Sequence, residues 1–335
     1  MNEQKFWTKI VKMRCLVQWL FFAWVVFIGI RFGMFVHQFE AGDTVHFISH
    51  PPGVEGFLPI GALASLKYWL LTGIFNPLHP AALVILLAII VMSLLAKKSF
   101  CSWLCPVGTL SEAAGKAGRK LFGGNFRVWR PLDLLMRCIK YLLLIFFVKI
   151  VLIDMSLQSL DGFLRSPYWA MSDVKMLYFF TRMSAVTMVV LAILTFLTLL
   201  FEGFWCRYLC PYGALLGLVS VVSPFTIKRE ASRCTSCRSC SASCSARLPV
   251  HERQSIRSPE CNGCLSCVSA CPEREVLWMG LSFVRRPVPV WLFPAVALLV
   301  FFAGIGAGMV TGNWRSSLGV VDYQRLMLLV SFLHH

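Results

Sequence analysis

The sequence predicts an all-α integral membrane helical bundle, with about five transmembrane helices, one re-entrant or interfacial helix and a single small polar insertion. Three observations lead there. Of the 335 residues 57% are hydrophobic and only 14% charged, with a mean hydropathy of +0.70, a composition that does not describe a water-soluble surface. Lys and Arg number 32 against 16 Asp and Glu, and the excess collects in particular loops, as the sidedness of a membrane chain requires. Nucleic-acid binding, the usual reading of such charge in a soluble protein, is set aside on that ground. The 14 cysteines fall mostly in short regular spacings, which favours metal ligation over the disulfide scaffolds of small secreted chains.

About 20 apolar residues cross the hydrocarbon core, and four stretches meet that need: 16–36, 80–96, 184–201 and 288–310. The last three carry no charge; the first has Arg31 near its far end, where it can snorkel. A weaker span lies over 134–157, interrupted by Lys149, with Arg137 and Lys140 placed to reach the headgroups. The segment 57–75 contains Pro59 and Lys67 and joins the next span through only Asn76 to His79. Charge decides its place. With five crossings and the N-terminus inside, Lys and Arg number 4 before the first span, 9 in 97–140 and 11 in 202–287, so 24 of 32 share one side. The loops 37–79, 154–183 and 311–335 hold 1, 3 and 2. A crossing at 57–75 would break this pattern, so that segment is expected to be re-entrant or surface-lying on the outer face. The opening MNEQKFWTKIVKMR imitates a signal peptide, but no small-residue cleavage site follows it, and it reads as a retained anchor.

The long polar segment between the fourth and fifth spans contains Cys234, Cys237, Cys240 and Cys244, then Cys261, Cys264, Cys267 and Cys271. Both sets read C-x2-C-x2-C-x3-C. Three thiolates so spaced on a tight loop can hold three irons of one cubane, and in two-cluster ferredoxins the fourth serves the other cluster. The expected 4Fe-4S sets are therefore Cys234, Cys237, Cys240 and Cys271, and Cys261, Cys264, Cys267 and Cys244. The second motif ends Cys271-Pro272 as the bacterial pattern does, whereas the first ends Cys244-Ser245. Zinc knuckles, the rival reading, usually pair two C-x2-C units across a longer gap. Arg233, Arg238 and Arg247 lie near these cysteines, where they would either ease cluster reduction or face anionic lipid.

An internal repeat accompanies these motifs. Residues 101–110 read CSWLCPVGTL and residues 206–215 read CRYLCPYGAL, six of ten positions alike, each following an uncharged span. The two cysteines of each copy lie one helical turn apart, and the proline after the second disfavours helix there. Cys101, Cys105, Cys206 and Cys210 are candidates for a third iron–sulfur centre, a redox disulfide pair or a structural helix terminator. Cys15 and Cys138 stand alone and read as ordinary thiols.

Spans, paired C-x3-C-P, two ferredoxin motifs and a last span together resemble the membrane-bound polyferredoxins that include NapH, the C-terminal part of NosR, and CcoG. The similarity covers about residues 10–310, and PPGVEGFLPIGAL at 51–63 also resembles an element of that group. The expected organisation is a membrane domain over 1–229, a bacterial-ferredoxin-like insertion over 230–280, and a final span with a tail over 281–335. The resemblance implies a multi-pass protein of the bacterial cytoplasmic (inner) membrane, with the N-terminus and the insertion cytoplasmic and the C-terminus periplasmic. It implies an electron-transfer subunit of a quinol dehydrogenase or reductase system, exchanging electrons between the quinone pool and a redox protein partner. Whether the chain is an enzyme in its own right stays open. A maturation factor that reduces a metal or thiol, and a membrane-tethered redox regulator, are the rival functions.

Quinol oxidation needs proton acceptors near the membrane boundary, and the outer side offers His37, His46, His50 and His79 with Glu40, Asp43 and Glu55. All are equally ordinary in a wet loop. Lys149 is a functional candidate as an ionisable residue inside a span, or it snorkels. Gly304, Gly306 and Gly308 in the last span permit close helix packing.

Overall fold

A computed structural model describes residues 3–41, 48–126, 128–273, 275–284 and 286–330. His46 and Asp43 lie outside the described residues. The helices are α1 (Glu3–Ala41), α2 (Pro59–Thr72), α3 (Pro80–Ala96), α4 (Ser99–Trp103), α5 (Pro106–Phe122), α6 (Arg130–Val148), α7 (Leu157–Leu164), α8 (Pro167–Ala170), α9 (Ser172–Thr181), α10 (Ala185–Leu200), α11 (Pro211–Val219), α12 (Ser239–Ala242), α13 (Ser266–Ser269), α14 (Leu292–Val310) and α15 (Val320–Val330). Two are long and apolar enough to cross a membrane, α1 over Trp7–Glu40 and α14. The pair α9 and α10, bent by 75° at a short break, makes a third if it counts as one span. The weak span expected over 134–157 appears as α6 continued by a π-helical turn, Lys149–Asp154.

These helices carry their apolar side chains outward. Leu16, Trp19, Leu20, Trp24, Phe27 and Ile30 of α1 are exposed, as are Leu134, Leu135, Leu142 and Phe146 of α6 and Val186, Val189, Ile193 and Phe196 of α10. Apolar surface of that extent is unfavourable in water and costs nothing against lipid tails. The chain forms two compact units, residues 1–22, 89–144 and 192–302, and residues 23–88, 145–191 and 303–335. Residues of α1, α3, α6, α10 and α14 fall in both.

The first unit holds all twelve motif cysteines. Mostly helical as expected, the chain departs from the expectation here through a small antiparallel sheet of β1 (Phe225–Arg229), β2 (Ser255–Ile256) and β3 (Leu277–Leu281), in the order β2-β1-β3. Ile227 stands opposite both Ile256 and Met279, and all three are buried. Strands this short leave too little alternation to be read among cysteine-rich loops. The sheet brackets the two motifs, since β1 precedes the first and β3 follows the second.

In the second unit α2 lies over the expected segment 57–75 and ends at Gly73 in the left-handed conformation, φ 74°. A Cβ on Gly61 would meet the Trp169 ring at 1.9 Å, so the indole packs directly on the α2 backbone. Lys67 donates to the carbonyls of Val151, at 3.2 Å, and Met155, placing its charge at the negative end of the α6 helix and its π-helical turn. Lys149 pairs with Asp154 at 2.6 Å on an exposed surface. A Cβ on Gly304 would meet Ala88 at 2.7 Å and one on Gly308 would meet Val84 at 2.5 Å, while Gly306 faces open space. Gly304 and Gly308, four apart, therefore carry the close contact with α3. The expected C-terminal tail contains α15, whose Tyr323 joins a buried cluster with Phe32, Phe35, Val54, Met171 and Val174.

Candidate functional site

The two C-x2-C-x2-C loops repeat one backbone shape. Ser236 and Arg238 have φ 55° and 61°, and Gly263 and Leu265, at the same positions of the second motif, have φ 64° and 61°. These left-handed residues turn the chain tightly enough to bring three cysteines to one centre, at a strain that non-glycine residues tolerate only where the surroundings enforce it. Each loop then enters a single helical turn, α12 or α13, and the fourth cysteine follows. The fourth cysteines exchange. Cys271 comes beside Cys234, Cys237 and Cys240, and the four line a pocket with Arg229, Arg238 and His251 among the other lining residues. Cys244 comes beside Cys261 and Cys264, and Cys267 beside those and Cys244. The charge of Cys240 is felt at Cys267, so the two sets adjoin.

The sets differ in setting. Cys237 is exposed, and Cys234 and Cys237 have thiols held below the ordinary range, Cys234 by the Ser236 backbone N–H and Arg229, Cys237 by Ser239. In the second set Cys261, Cys264 and Cys267 are buried, and burial pushes Cys267 well up. Ser245, standing where the bacterial pattern has proline, places its hydroxyl 3.8 Å from the Cys264 sulfur, and the Leu248 N–H donates to Cys244 Sγ at 3.5 Å.

The C-x3-C-P repeat breaks helix twice, in the same way. α4 stops before Cys105 and α5 starts at Pro106; a π-helical turn, Trp205–Leu209, stops before Cys210 and α11 starts at Pro211. Proline suits the first helical position, where its missing N–H is not needed. Each second cysteine therefore sits at a helix start, and Cys210 Sγ accepts from the N–H of Gly213, the third helical residue, at 3.2 Å. A Cβ on Gly108 would meet the Cys101 carbonyl oxygen at 2.3 Å, which explains the glycine. The four thiols converge: Cys105 feels Cys101, Cys206 and Cys210, and Cys206 feels Cys210 and Cys101. Burial pushes Cys101 up to about 11 and Cys206 up to about 12, Lys98 opposing in both cases.

The residues between the cysteines dock each copy differently. Ser102 Oγ donates to the Asn262 carbonyl at 2.6 Å and Trp103 Nε1 to that of Gly263 at 3.4 Å, so the first copy grips the second ferredoxin loop. In the second copy Arg207 donates to both oxygens of Asp133 at 2.9 Å, and Tyr208 donates to Asp133 as well. Arg14 donates to both oxygens of Glu112 at 2.8 Å and to the Ser102 carbonyl, fixing α1 against the first copy. Burial pushes Glu112 up, but Arg14 and Lys116 outweigh it and hold its carboxyl at about 2.

The donors fit iron–sulfur clusters. Twelve thiols form three groups of four, one lining a cavity, and among the described residues no His, Cys, Asp and Glu group closes on a single ion.

The second unit collects part of the outer-side histidine set. His50 Nε2 lies 2.8 Å from Asp173, and His79 Nδ1 lies 3.4 Å from Glu55 Oε1, with Glu55 and His79 fully buried. The His79 Nε2–Trp169 carbonyl contact is 2.9 Å, and the Glu55 carboxylate accepts from the Ala82 N–H at 3.1 Å. Glu55 Oε1 and His79 Nδ1 are buried and face only each other among the described residues. Burial lowers His79, but Glu55 and Asp173 win and raise it above the ordinary range. His37 and Glu40 stay apart from this group, Glu40 accepting from Tyr178 and Arg182. Sequence reasoning missed Asp173 and Tyr323, since neither lies in a motif or breaks an apolar pattern. Cys15 and Cys138 lie outside the thiol sets, and Cys138 donates to the Leu134 carbonyl.

Comparison with known proteins adds the following. A family model described as a 4Fe-4S binding domain matches residues 78–125 and 183–230, one copy over each C-x3-C-P, and a 4Fe-4S dicluster domain matches residues 226–272. The "Putative electron transport protein YccM" of Escherichia coli (strain K12) is 42% identical over 98% of this chain and 93% of its own length. The ferredoxin-type protein NapH of the same organism is 29% identical over 58% of this chain and 67% of its own, and the regulatory protein NosR of Pseudomonas aeruginosa 31% over 50% and 23%. No solved structure matches. Similarity to YccM over nearly the whole chain, both kinds of 4Fe-4S domain and the shared stretches of NapH and NosR agree with the cysteine geometry: the chain belongs to the membrane-bound polyferredoxin family.

Proposed function

We propose that this protein carries electrons between the membrane quinone pool and a redox protein partner through three 4Fe-4S centres. Cys234, Cys237, Cys240 and Cys271 hold the first, Cys244, Cys261, Cys264 and Cys267 the second, and Cys101, Cys105, Cys206 and Cys210 the third. The observation that carries this reading is the adjacency of the three thiol sets. Cys240 adjoins Cys267, and the Cys261–Cys264 loop is bound by Ser102 and Trp103 of the first C-x3-C-P. A 4Fe-4S cluster, when bound, takes up and returns one electron. The exposed Cys237 marks the end that meets the partner, and the half-buried C-x3-C-P thiols mark the end nearer the bilayer.

The chain crosses the cytoplasmic membrane five times, through α1, α3, α6, α10 and α14, with the cluster region on the cytoplasmic side. Support comes from the charge count and from those five helices being the ones divided between the two units. A quinol releases two electrons and two protons on becoming quinone; His50 with Asp173 and His79 with Glu55 are the proton acceptors proposed for that reaction. The test is addition of a short-chain quinol to anaerobic purified protein, followed by absorbance bleaching and EPR. Reduced-cluster signals are expected. Clusters that respond to dithionite but to no quinol analogue would overturn the quinone assignment.

A further inference from the structure

Lys97 and Lys98 link α3 to α4 and are both buried, at 1% and 6% exposure. Neither has a carboxylate within ion-pair distance among the described residues. The only hydrogen bond of the Lys97 ammonium there is to the Ile256 carbonyl, at 3.3 Å. The Glu260 carboxylate feels the Lys98 charge but is bound by Lys140 at 2.6 Å and Tyr141 at 2.8 Å. Buried cations with no carboxylate bound to them are costly, so further negative charge belongs beside them.

The two side chains serve different neighbours. Lys97 is the cation that Cys261 feels most, with Lys98 a weaker one. Cys101 and Cys206 feel Lys98, whose ammonium lies 3.6 Å from the position a Cβ on Gly213 would take, over the start of α11 where Cys210 sits. The backbone is bent to allow this. Lys97 has φ 56°, the left-handed conformation that usually follows a helix as glycine, and the Ser223 hydroxyl locks the turn by accepting its N–H at 3.0 Å and donating to the Leu95 carbonyl at 3.0 Å. A lysine at a glycine position, with its charge buried, is explained by what its side chain does.

We propose that Lys97 and Lys98 are positioning residues that act as fixed counter-cations of two different centres, Lys97 of the Cys244/Cys261/Cys264/Cys267 cluster and Lys98 of the Cys101/Cys105/Cys206/Cys210 cluster. Each raises the reduction potential of its own centre, because a neighbouring positive charge favours the more negative, reduced form. The Lys98 arm rests on the third centre proposed above; the Lys97 arm does not.

The test is potentiometric EPR on full-length, anaerobically purified protein in detergent, with iron content measured on the same samples. Lys98→Met shifts the midpoint of the signal that Cys101→Ala abolishes to lower potential, by at least the 59 mV that corresponds to a tenfold change in the one-electron equilibrium, and moves the other signals by less. Lys98→Arg restores it. Lys97→Met moves the signal that Cys264→Ala abolishes. Should Lys98→Met fail to accumulate, Lys98→Gln reads the same shift. Full iron content with unmoved midpoints in the methionine variants overturns the proposal. Parent protein with about eight irons and no signal lost in Cys101→Ala would instead sink the third centre, and Lys97→Met then decides the remaining arm alone.

Discussion

Single residues in this protein hold charge where the surroundings would otherwise forbid it. His79 is the sharpest instance, fully buried against Glu55 and raised above its ordinary pKa. A histidine whose folded value is raised contributes stability fully below about pH 6.5, its unfolded value, and that contribution fades as pH rises through the folded value. Glu55→Gln removes the partner of a buried pair, a change that costs about 3–5 kcal/mol. Thermal unfolding in detergent should therefore show the variant furthest below the parent at pH 6 and the gap narrowing toward pH 9. A gap independent of pH would show that His79 is not the charged partner. The histidines themselves were visible in the sequence as candidates, but not their grouping. Asp173 comes from α9 and Tyr323 from α15, helices whose apolar patterns say nothing about which face meets the 52–57 turn.

Among the elements, the broken helices govern the site. α5 runs so close to α10 that a Cβ on Gly118 would lie 1.8 Å from the Leu199 carbonyl oxygen. Gly118→Ala should cost about 1–3 kcal/mol, as overpacking does, whereas Gly124→Ala, which meets nothing within 4 Å, should leave the melting temperature unchanged. The exchange of fourth cysteines gives an element-scale prediction too. Cys244→Ala should abolish the EPR signal of the Cys261–Cys267 loop and spare that of its own motif, and Cys271→Ala the converse; loss of the mutated residue's own motif signal alone would refute the exchange. The grouping of the thiols was legible, since the cysteine spacing sets which of them a tight loop brings together, and Cys-Pro encodes a helix break. The sheet was not, because β2 has two residues and β1 and β3 only five each. Nor does a repeat reveal that its two middle dipeptides, Ser102-Trp103 and Arg207-Tyr208, bind different partners.

For the whole molecule, iron content and sidedness are the quantities to measure. Anaerobic protein should carry about twelve irons, three cubanes' worth, and Cys101→Ala about four fewer. Alkaline phosphatase fused after Ser245 should be inactive and after Leu318 active, reporting a cytoplasmic cluster region and a periplasmic C-terminal segment; the reverse pattern would invert the topology. Sidedness was read from 24 of 32 basic residues sharing one side, a signal spread along the chain and independent of any contact. The helix lengths were harder to foresee: α1 extends well beyond 16–36 in both directions, and before residue 16 it is held by Arg14 on Glu112.

The divided labour of the two C-x3-C-P copies has an architectural outcome. A duplicated frame offers two equivalent berths, yet Arg207 and Tyr208 of one copy turn onto Asp133 of α6 while Ser102 and Trp103 of the other hold the second ferredoxin loop. The symmetry of the duplication is thereby broken by two dipeptides, one half facing a long helix and the other the insertion.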